Sequence, residues 1–345
     1  MHYMLQEIQE QPVVVEKILQ EESRRLQRLI RRIQRRDPRL VVIAARGTSD
    51  NAATYGKYLI ETLLGLPVSL AAPSVVTLYG SRLQFQGSIL LGISQSGESV
   101  DVVEFLRVAR RGGAFTIAIT NQERSPLARN AHEVLLCHAG EERSIAATKT
   151  YLGQLTVLAL LTATWGGRGD LIRALQQLPK WLQEVLQNGA KIAEQANRYR
   201  YMGECIVSAR GYNYATAKEA ALKLKETCYV LAEALSSADL LHGPIAIVER
   251  DFPVFLFAPS GRAYTHLLEL TGGLAAKGAE VIVFSDREEI LEKATIPIPV
   301  RASVPEEVSP HVFILPAQLF AYHLALAKGL DPDHPRGLRK ITRTR

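Results

Sequence analysis

The sequence is short of the residues that build disulfide frameworks and metal centres. It has three cysteines in 345 residues, Cys137, Cys205 and Cys228. They lie far apart, are odd in number and form no Cys-x-x-Cys pair, so reduced thiols in a cytoplasmic protein are expected. His2, His132, His138, His266, His311 and His323 form no His-Glu-x-x-His spacing, so neither a metal nor an organic cofactor is implied. No Gly-Lys-Ser/Thr occurs, which excludes a nucleotide P-loop. The longest apolar stretch, around Leu155–Trp165, is too short to span a bilayer. The first residues, Met1-His-Tyr-Met-Leu-Gln-Glu, lack the basic end and apolar run of a secretory signal. No membrane association is expected.

What is present is the composition of a globular protein, 47% hydrophobic and 22% charged, long enough for about two domains. The net charge is +6 and is concentrated locally: eight arginines fall between Arg24 and Arg39. Such a run fits either a nucleic-acid patch or the solvated face of a helix. Leu26, Leu29, Ile30 and Ile33 recur at helical spacing as one apolar stripe, and no aromatic residue interleaves the arginines. The helix is the expectation, with no nucleic-acid partner.

One turn stands out. Ser88-Ile-Leu-Leu-Gly-Ile93 reads as a buried strand, and Val100-Asp-Val-Val-Glu-Phe-Leu-Arg107 has the spacing of an amphipathic helix. Between them lies Ser94-Gln-Ser-Gly-Glu-Ser99. Free N–H groups at a helix N-terminus favour an anion, and the hydroxyls of Ser94, Ser96 and Ser99 with the Gln95 amide add neutral donors. The alternative is a serine-rich helix cap with no ligand.

The chain also repeats itself. Val41-Val-Ile-Ala-Ala-Arg-Gly47 resembles Cys205-Ile-Val-Ser-Ala-Arg-Gly211, and Leu90–Gly97 resembles Val254–Gly261. Arg111–Ile119 resembles Lys277–Phe284. Positions 47 and 97, like positions 211 and 261, are 50 residues apart. Strands alternate with helical stretches in both halves. The expected fold class is α/β, two tandem doubly wound, flavodoxin-like parallel sheets. An N-terminal helical arm is expected over 1–40, the first domain over 41–167 and a helical connector over 168–202. The second domain is expected over 203–328, followed by an irregular tail over 329–345. Ligands of such sheets bind at the carboxyl ends of strands near the switch point, where the 46–51 and 94–99 turns both fall.

Five separated motifs occur in the order found in one family: Gly47-Thr-Ser49; Ser94-Gln-Ser-Gly-Glu-Ser99; Ala146-Ala-Thr-Lys149; Lys223-Leu-Lys-Glu226 with His242-Gly-Pro244; and His334-Pro-Arg-Gly-Leu-Arg-Lys340. The chain thereby resembles the sugar isomerase (SIS) family from about residue 5 to residue 345. In particular it is similar to the isomerase half of the glucosamine-6-phosphate synthases and to the stand-alone SIS-type glucosamine-6-phosphate deaminases. The resemblance implies that Ser94, Gln95, Ser96 and Ser99 hold a sugar phosphate. Gly47, Thr48, Ser49, Ala146, Ala147 and Lys223 line the same substrate. It further implies that Glu226 moves a proton between C1 and C2, that His242 assists ring opening from a neighbouring subunit of a homodimer, and that Lys340 forms a Schiff base with the keto sugar. Taken singly, Glu226 reads as a helix charge paired with Lys223, His242 as a turn residue and Lys340 as solvated charge.

The chemistry fits these residue types. Carbonyl migration removes a proton beside a carbonyl, which a positioned carboxylate can do. Imidazole suits proton shuttling in ring opening, and a lysine imine acidifies the adjacent C–H. Arg46 stands where the synthases typically carry Cys and Ala147 where they commonly carry Ser, and with the first strand near Leu40 a glutaminase domain is not expected. The expected activity is therefore conversion of glucosamine 6-phosphate and water to fructose 6-phosphate and ammonia. Alternatives are a synthase-like isomerase or aminotransferase without its glutaminase domain, a deglycase of a related phosphosugar, and a sugar-phosphate sensor.

Overall fold

The apolar runs of the first half form a five-stranded parallel sheet. In chain order the strands are β1 (Leu40–Ala44), β2 (Val68–Leu70), β3 (Ser88–Ile93), β4 (Phe115–Thr120) and β5 (Glu133–Leu136), arranged β2-β1-β3-β4-β5. The second half repeats this with β6 (Glu204–Ala209), β7 (Leu231–Ser236), β8 (Pro253–Phe257), β9 (Glu280–Ser285) and β10 (Ile296–Pro299), arranged β10-β9-β8-β6-β7. Read from the other edge, the two orders are the same, and every pairing is parallel. These are two doubly wound α/β sheets of the flavodoxin-like kind. The computed structural model describes residues 2–187, 189–302 and 304–340; Met1 and the end of the basic tail, 341–345, lie outside the described residues.

The first sheet belongs to a compact unit of Val13–Glu142, Lys149–Gln176 and the chain from Arg339. All six residues of β3 and all six of β4 are buried, as expected of parallel strands covered on both faces. Side chains alternate between the faces. Val42, Ala44, Leu90 and Ala118 pack with Val102, Val103, Leu106 and Ala109 of the helix Val100–Arg111. On the other face Ile43 lies beside Gly56 of the helix Thr48–Leu64 and Leu158 of the helix Lys149–Trp165; a Cβ at Gly56 would come 3.1 Å from Leu158 and 3.3 Å from Ile43. Arg24 to Arg32 of the arginine run lie on the helix Gln11–Gln34, and Arg35, Arg36 and Arg39 follow it. Leu26, Leu29, Ile30 and Ile33 are buried, while Arg24, Arg28, Arg31, Arg32, Arg35 and Arg36 are exposed.

The second sheet belongs to a unit of Met1–Pro12, Arg143–Thr148 and Gln177–Leu338. Val254, Leu256, Val281 and Val283 pack against Leu267, Leu270 and Leu274 of the helix Tyr264–Ala276. The alternate residues form an aromatic layer. Phe255 meets Phe320 edge-on at 5.1 Å and Tyr199 at 6.3 Å, and Phe257 stacks on Phe284 at 4.6 Å. Phe320 lies on Ser309–Ala327, which among the described residues is the one helix long and apolar enough to cross a membrane; 83% of it is buried in the protein. Its apolar run is broken in the sequence by His311, Gln318 and His323, which is why the uninterrupted Leu155–Trp165 stretch stands out instead. The irregular tail packs back through Asp333, whose carboxylate accepts the N–H groups of Tyr3 at 2.7 Å and Met4 at 2.8 Å. It thereby satisfies two open donors at the start of the helix Tyr3–Gln9.

Truncating the aromatic layer should cost stability. Phe320→Ala is expected to destabilise the second-sheet unit by about 3–5 kcal/mol, measured as a lowered midpoint of urea unfolding. A change under about 1 kcal/mol would show that the layer repacks.

Candidate active site

The first constellation stands at the carboxyl ends of β1 and β3. Gly47 starts the helix Thr48–Leu64 with φ +54°, and a Cβ there would meet nothing within 4 Å, so glycine is required by backbone conformation, not space. Gly97 is constrained twice: φ is +64°, and a Cβ would collide with the Ser125 side chain. Around Gly97 the turn is tied internally. Ser94 Oγ accepts the Gly97 N–H at 3.1 Å, Ser96 Oγ accepts the Glu98 N–H at 3.2 Å, and the Gln95 carbonyl accepts from Asn121 N at 3.0 Å. Among the described residues no protein group accepts the N–H of Gln95, Ser96 or Ser99. Such open donors at a strand-to-helix turn form an anion cradle.

Ser99 is the N-cap of Val100–Arg111 by position, yet its side chain makes no cap bond. Its hydroxyl donates instead to Asp101 at 3.0 Å. Asp101 is 1% exposed, accepts the Val102 N–H at 3.0 Å, and pairs with Arg46 Nε at 2.5 Å. Asp101 thus ties the β1 turn to the β3 turn. Sequence reading missed it because it looks like an ordinary first-turn acid. Thr48 is half-buried, and Ser49 is buried, with Oγ accepting from Gln154 at 3.0 Å. Its hydroxyl is engaged with the helix Lys149–Trp165. The same unit holds Lys340, whose Nζ lies 3.2 Å from Glu142. Glu142 is buried and accepts from Thr150 N at 3.1 Å and Thr150 Oγ1 at 2.6 Å. Glu142 is a second residue that the motifs alone did not reveal.

The repeat supplies an internal comparison. Gly261 matches Gly97 and also has positive φ, +153°. Around it, however, the protein's own carboxylates take the donors. Asp286 accepts the Ser260 N–H at 2.7 Å, Glu306 accepts the Arg262 N–H at 3.1 Å, and the Glu306 side chain fills the space beside Gly261. The open N–H of Ser96 in the first sheet corresponds to a satisfied N–H of Ser260 in the second.

The second constellation lies on the helix Tyr214–Cys228, which follows β6. Lys223 is fully buried; its Nζ is 2.5 Å from Glu226 and 3.3 Å from Glu219. Burial opposes the ammonium charge, but the two carboxylates more than offset this and hold its pKa above the usual lysine value. Glu219 is completely buried while Glu226 is 23% exposed, so Glu226 is the member that faces outward. Lys223, which the resemblance put among the substrate-lining residues, thus lies buried behind Glu226. His242 caps the short helix Ser237–Leu241 and is exposed, between the exposed side chains of Leu241 and Ile247. Ala146 is buried and Ala147 half-buried in this same unit, in a segment where Ser144 N donates to Glu7 at 3.3 Å and the Thr148 carbonyl accepts from Gln318 at 3.4 Å.

Two outcomes check these geometries. Gly97→Ala should lose about 1–3 kcal/mol through its left-handed backbone alone, more with the Ser125 collision, read by thermal unfolding. Lys223→Met should cost about 3–5 kcal/mol by removing the buried cation that Glu219 and Glu226 share, and adding Glu219→Gln should recover part of it. Full stability of Lys223→Met would show that the cluster is not held by charge.

Comparison with known proteins accords with this arrangement. A sequence profile of the SIS domain matches residues 36–164 and 203–328. The glutamine–fructose-6-phosphate aminotransferase (isomerizing) of Thermus thermophilus is 37% identical over 356 residues. The match takes in 98% of this chain and 58% of that relative; the chain spans less than two thirds of the curated relative's length. The crystal structure of a candidate phosphosugar isomerase from Silicibacter pomeroyi DSS-3 superposes with a TM-score of 0.86 at 36% identity, covering 96% of this chain and 100% of that one. The glucosamine-6-phosphate deaminase of Thermotoga maritima gives a TM-score of 0.81 at 23% identity, covering 99% of this chain and 100% of that one, a likeness of fold. The protein belongs to the SIS domain family and carries the domain twice.

Proposed function

We propose that the chain is a phosphosugar aldose–ketose isomerase that releases ammonia, converting glucosamine 6-phosphate and water to fructose 6-phosphate. The observation that carries this reading is the Glu219–Lys223–Glu226 cluster, which presents one half-buried carboxylate on a rigid helix. The Ser94–Ser99 turn takes the sugar phosphate through the N–H groups of Gln95, Ser96 and Ser99 and the neighbouring hydroxyls. His242 moves the proton between O1 and O5 as the ring opens. Glu226 then takes the proton from C2 and delivers it to C1. The C1 aldehyde becomes an alcohol and the C2 amine becomes an imine. Water adds to the imine, ammonia leaves, and the C2 ketone remains. Lys340 offers a second route, exchanging its amine for ammonia at C2 before hydrolysis. His242 is exposed and acts from a neighbouring copy in a homodimer. Positioned general-base help of this kind contributes on the order of 10²–10⁴ in rate.

A second reading is favoured by the relatives. The match to a named aminotransferase supports running the same steps in reverse, with ammonia adding to fructose 6-phosphate. Both readings use one imine and one proton transfer, and they differ in the direction that dominates.

The test supplies purified protein with glucosamine 6-phosphate, or with fructose 6-phosphate and ammonium, and follows ammonia and both sugars. Ammonia release with matching fructose 6-phosphate is expected. Glu226→Gln should reduce turnover by about 10²–10⁴ while phosphosugar binding persists. Binding with no turnover of either substrate pair would overturn the enzymatic reading and favour a sensor. Full turnover by Glu226→Gln would remove Glu226 as the base.

A further inference from the structure

The arginine run leaves something that the phosphosugar reading does not absorb. A cavity of about 290 Å³ opens at the amino-terminal end of the first sheet, lined by residues that include Arg36, Gly87, Arg110, Gly113, Phe115 and His132. Gly87 precedes β3, Phe115 starts β4 and His132 precedes β5. Six-residue strands separate this end from the Ser94–Ser99 turn by about 20 Å.

Three donors converge here, each fixed by a different contact. Arg36 donates through Nη1 to the Arg32 carbonyl at 2.9 Å, and its guanidinium carbon lies 4.2 Å from the centre of the Phe115 ring. Arg110 donates through Nη1 to the Asn130 carbonyl at 2.9 Å. Each arginine is thereby oriented, and among the described residues no other hydrogen-bond acceptor takes its remaining N–H groups. His132 stacks on Phe115 at 5.3 Å and lies 3.1 Å from the Thr116 N–H through Nδ1. An Nδ1 that accepts a backbone N–H leaves the proton of the neutral ring on Nε2. His132 therefore presents an N–H donor.

The local field is positive. Burial and the charges of Arg110, Arg36 and Arg32 all push the His132 pKa below its ordinary value. Glu133, the adjacent acid, is paired with Arg32. The C-terminus of the helix Val100–Arg111 carries about half a negative charge, too little to balance two guanidinium groups. Two oriented forks and a neutral imidazole N–H suit an anion with several oxygens at tetrahedral spacing. The geometry points to a second anion site, at the amino-terminal end of the first sheet, in which Arg36, Arg110 and His132 bind a small phosphate or pyrophosphate group.

Inorganic pyrophosphate is the probe, with the full chain and the ring C–H signals of its histidines followed by NMR. The His132 signal is assigned by its loss in His132→Gln. Added pyrophosphate should shift that signal and raise its titration midpoint, because a bound anion favours the imidazolium. Ser96→Ala should leave this response intact. Arg36→Gln with Arg110→Gln should weaken it by about tenfold or more, and Arg36→Lys with Arg110→Lys should restore part of it; circular dichroism checks that each variant is folded. A His132 signal unmoved by millimolar pyrophosphate overturns the proposal, as does an equal response in the double Gln variant. A response seen only with an RNA or DNA oligonucleotide would overturn it in favour of a nucleic-acid surface.

Discussion

The strand order β2-β1-β3-β4-β5 imposes the constraint on which the first-sheet unit depends. Crossovers between parallel strands are right-handed, so the chain leaving β1 and the chain leaving β3 must go to opposite faces. Thr48–Leu64 goes to the face that Lys149–Trp165 covers, and Val100–Arg111 goes to the other. The two turns are left side by side at the carboxyl end of the sheet. The positive φ at Gly47 and Gly97 follows from this parting of the chain. So does the buried Asp101, which holds the turns together through Arg46 on one side and Ser99 on the other. A buried carboxylate is unfavourable unless charge and hydrogen bonds surround it. Asp101 has both, so the turn is rigid before any ligand arrives.

The second sheet carries the same constraint and answers it differently. Gly211 and Gly261 keep positive φ at the matching places, but Asp286 and Glu306 supply anionic oxygens from within the chain. A cradle already holding carboxylates repels a phosphate. The first sheet's turn keeps its donors open where the second sheet's turn is filled from within. In the second half the helix after β6 carries a cluster of three charged residues.

Much of this was legible in the sequence because it depends on local pattern. The apolar run 88–93 is β3 to the residue, and Val100 starts its helix. The Ala-Arg-Gly repeats end β1 and β6, and the stripe through Leu26, Leu29, Ile30 and Ile33 is buried while its arginines face out. What escaped were partners far apart in sequence. Asp101 pairs with Arg46 across 55 positions, and Glu142 meets Lys340 across 198. No periodicity encodes such pairs. Single letters also hide partners: Ser49 reads as a site hydroxyl, and its oxygen also accepts a hydrogen bond from the buried Gln154. Lys223 reads as a substrate contact, yet it is sealed behind Glu226.

The burial of Lys223 explains how a helix can hold a partly exposed carboxylate in one place. A glutamate on a solvated helix has many rotamers, and ordering it costs up to about 2 kcal/mol. An exposed ion pair returns about 0–1 kcal/mol, too little to fix it. In a buried pair the attraction is stronger, but desolvation of the ammonium opposes it. One carboxylate neutralises the lysine; a second, placed three residues on, is drawn to the same charge. Glu219 fills the first role at the closed end and Glu226 the second at the open end. Of the three residues Glu226 alone is partly exposed, and the buried lysine holds its carboxylate in place.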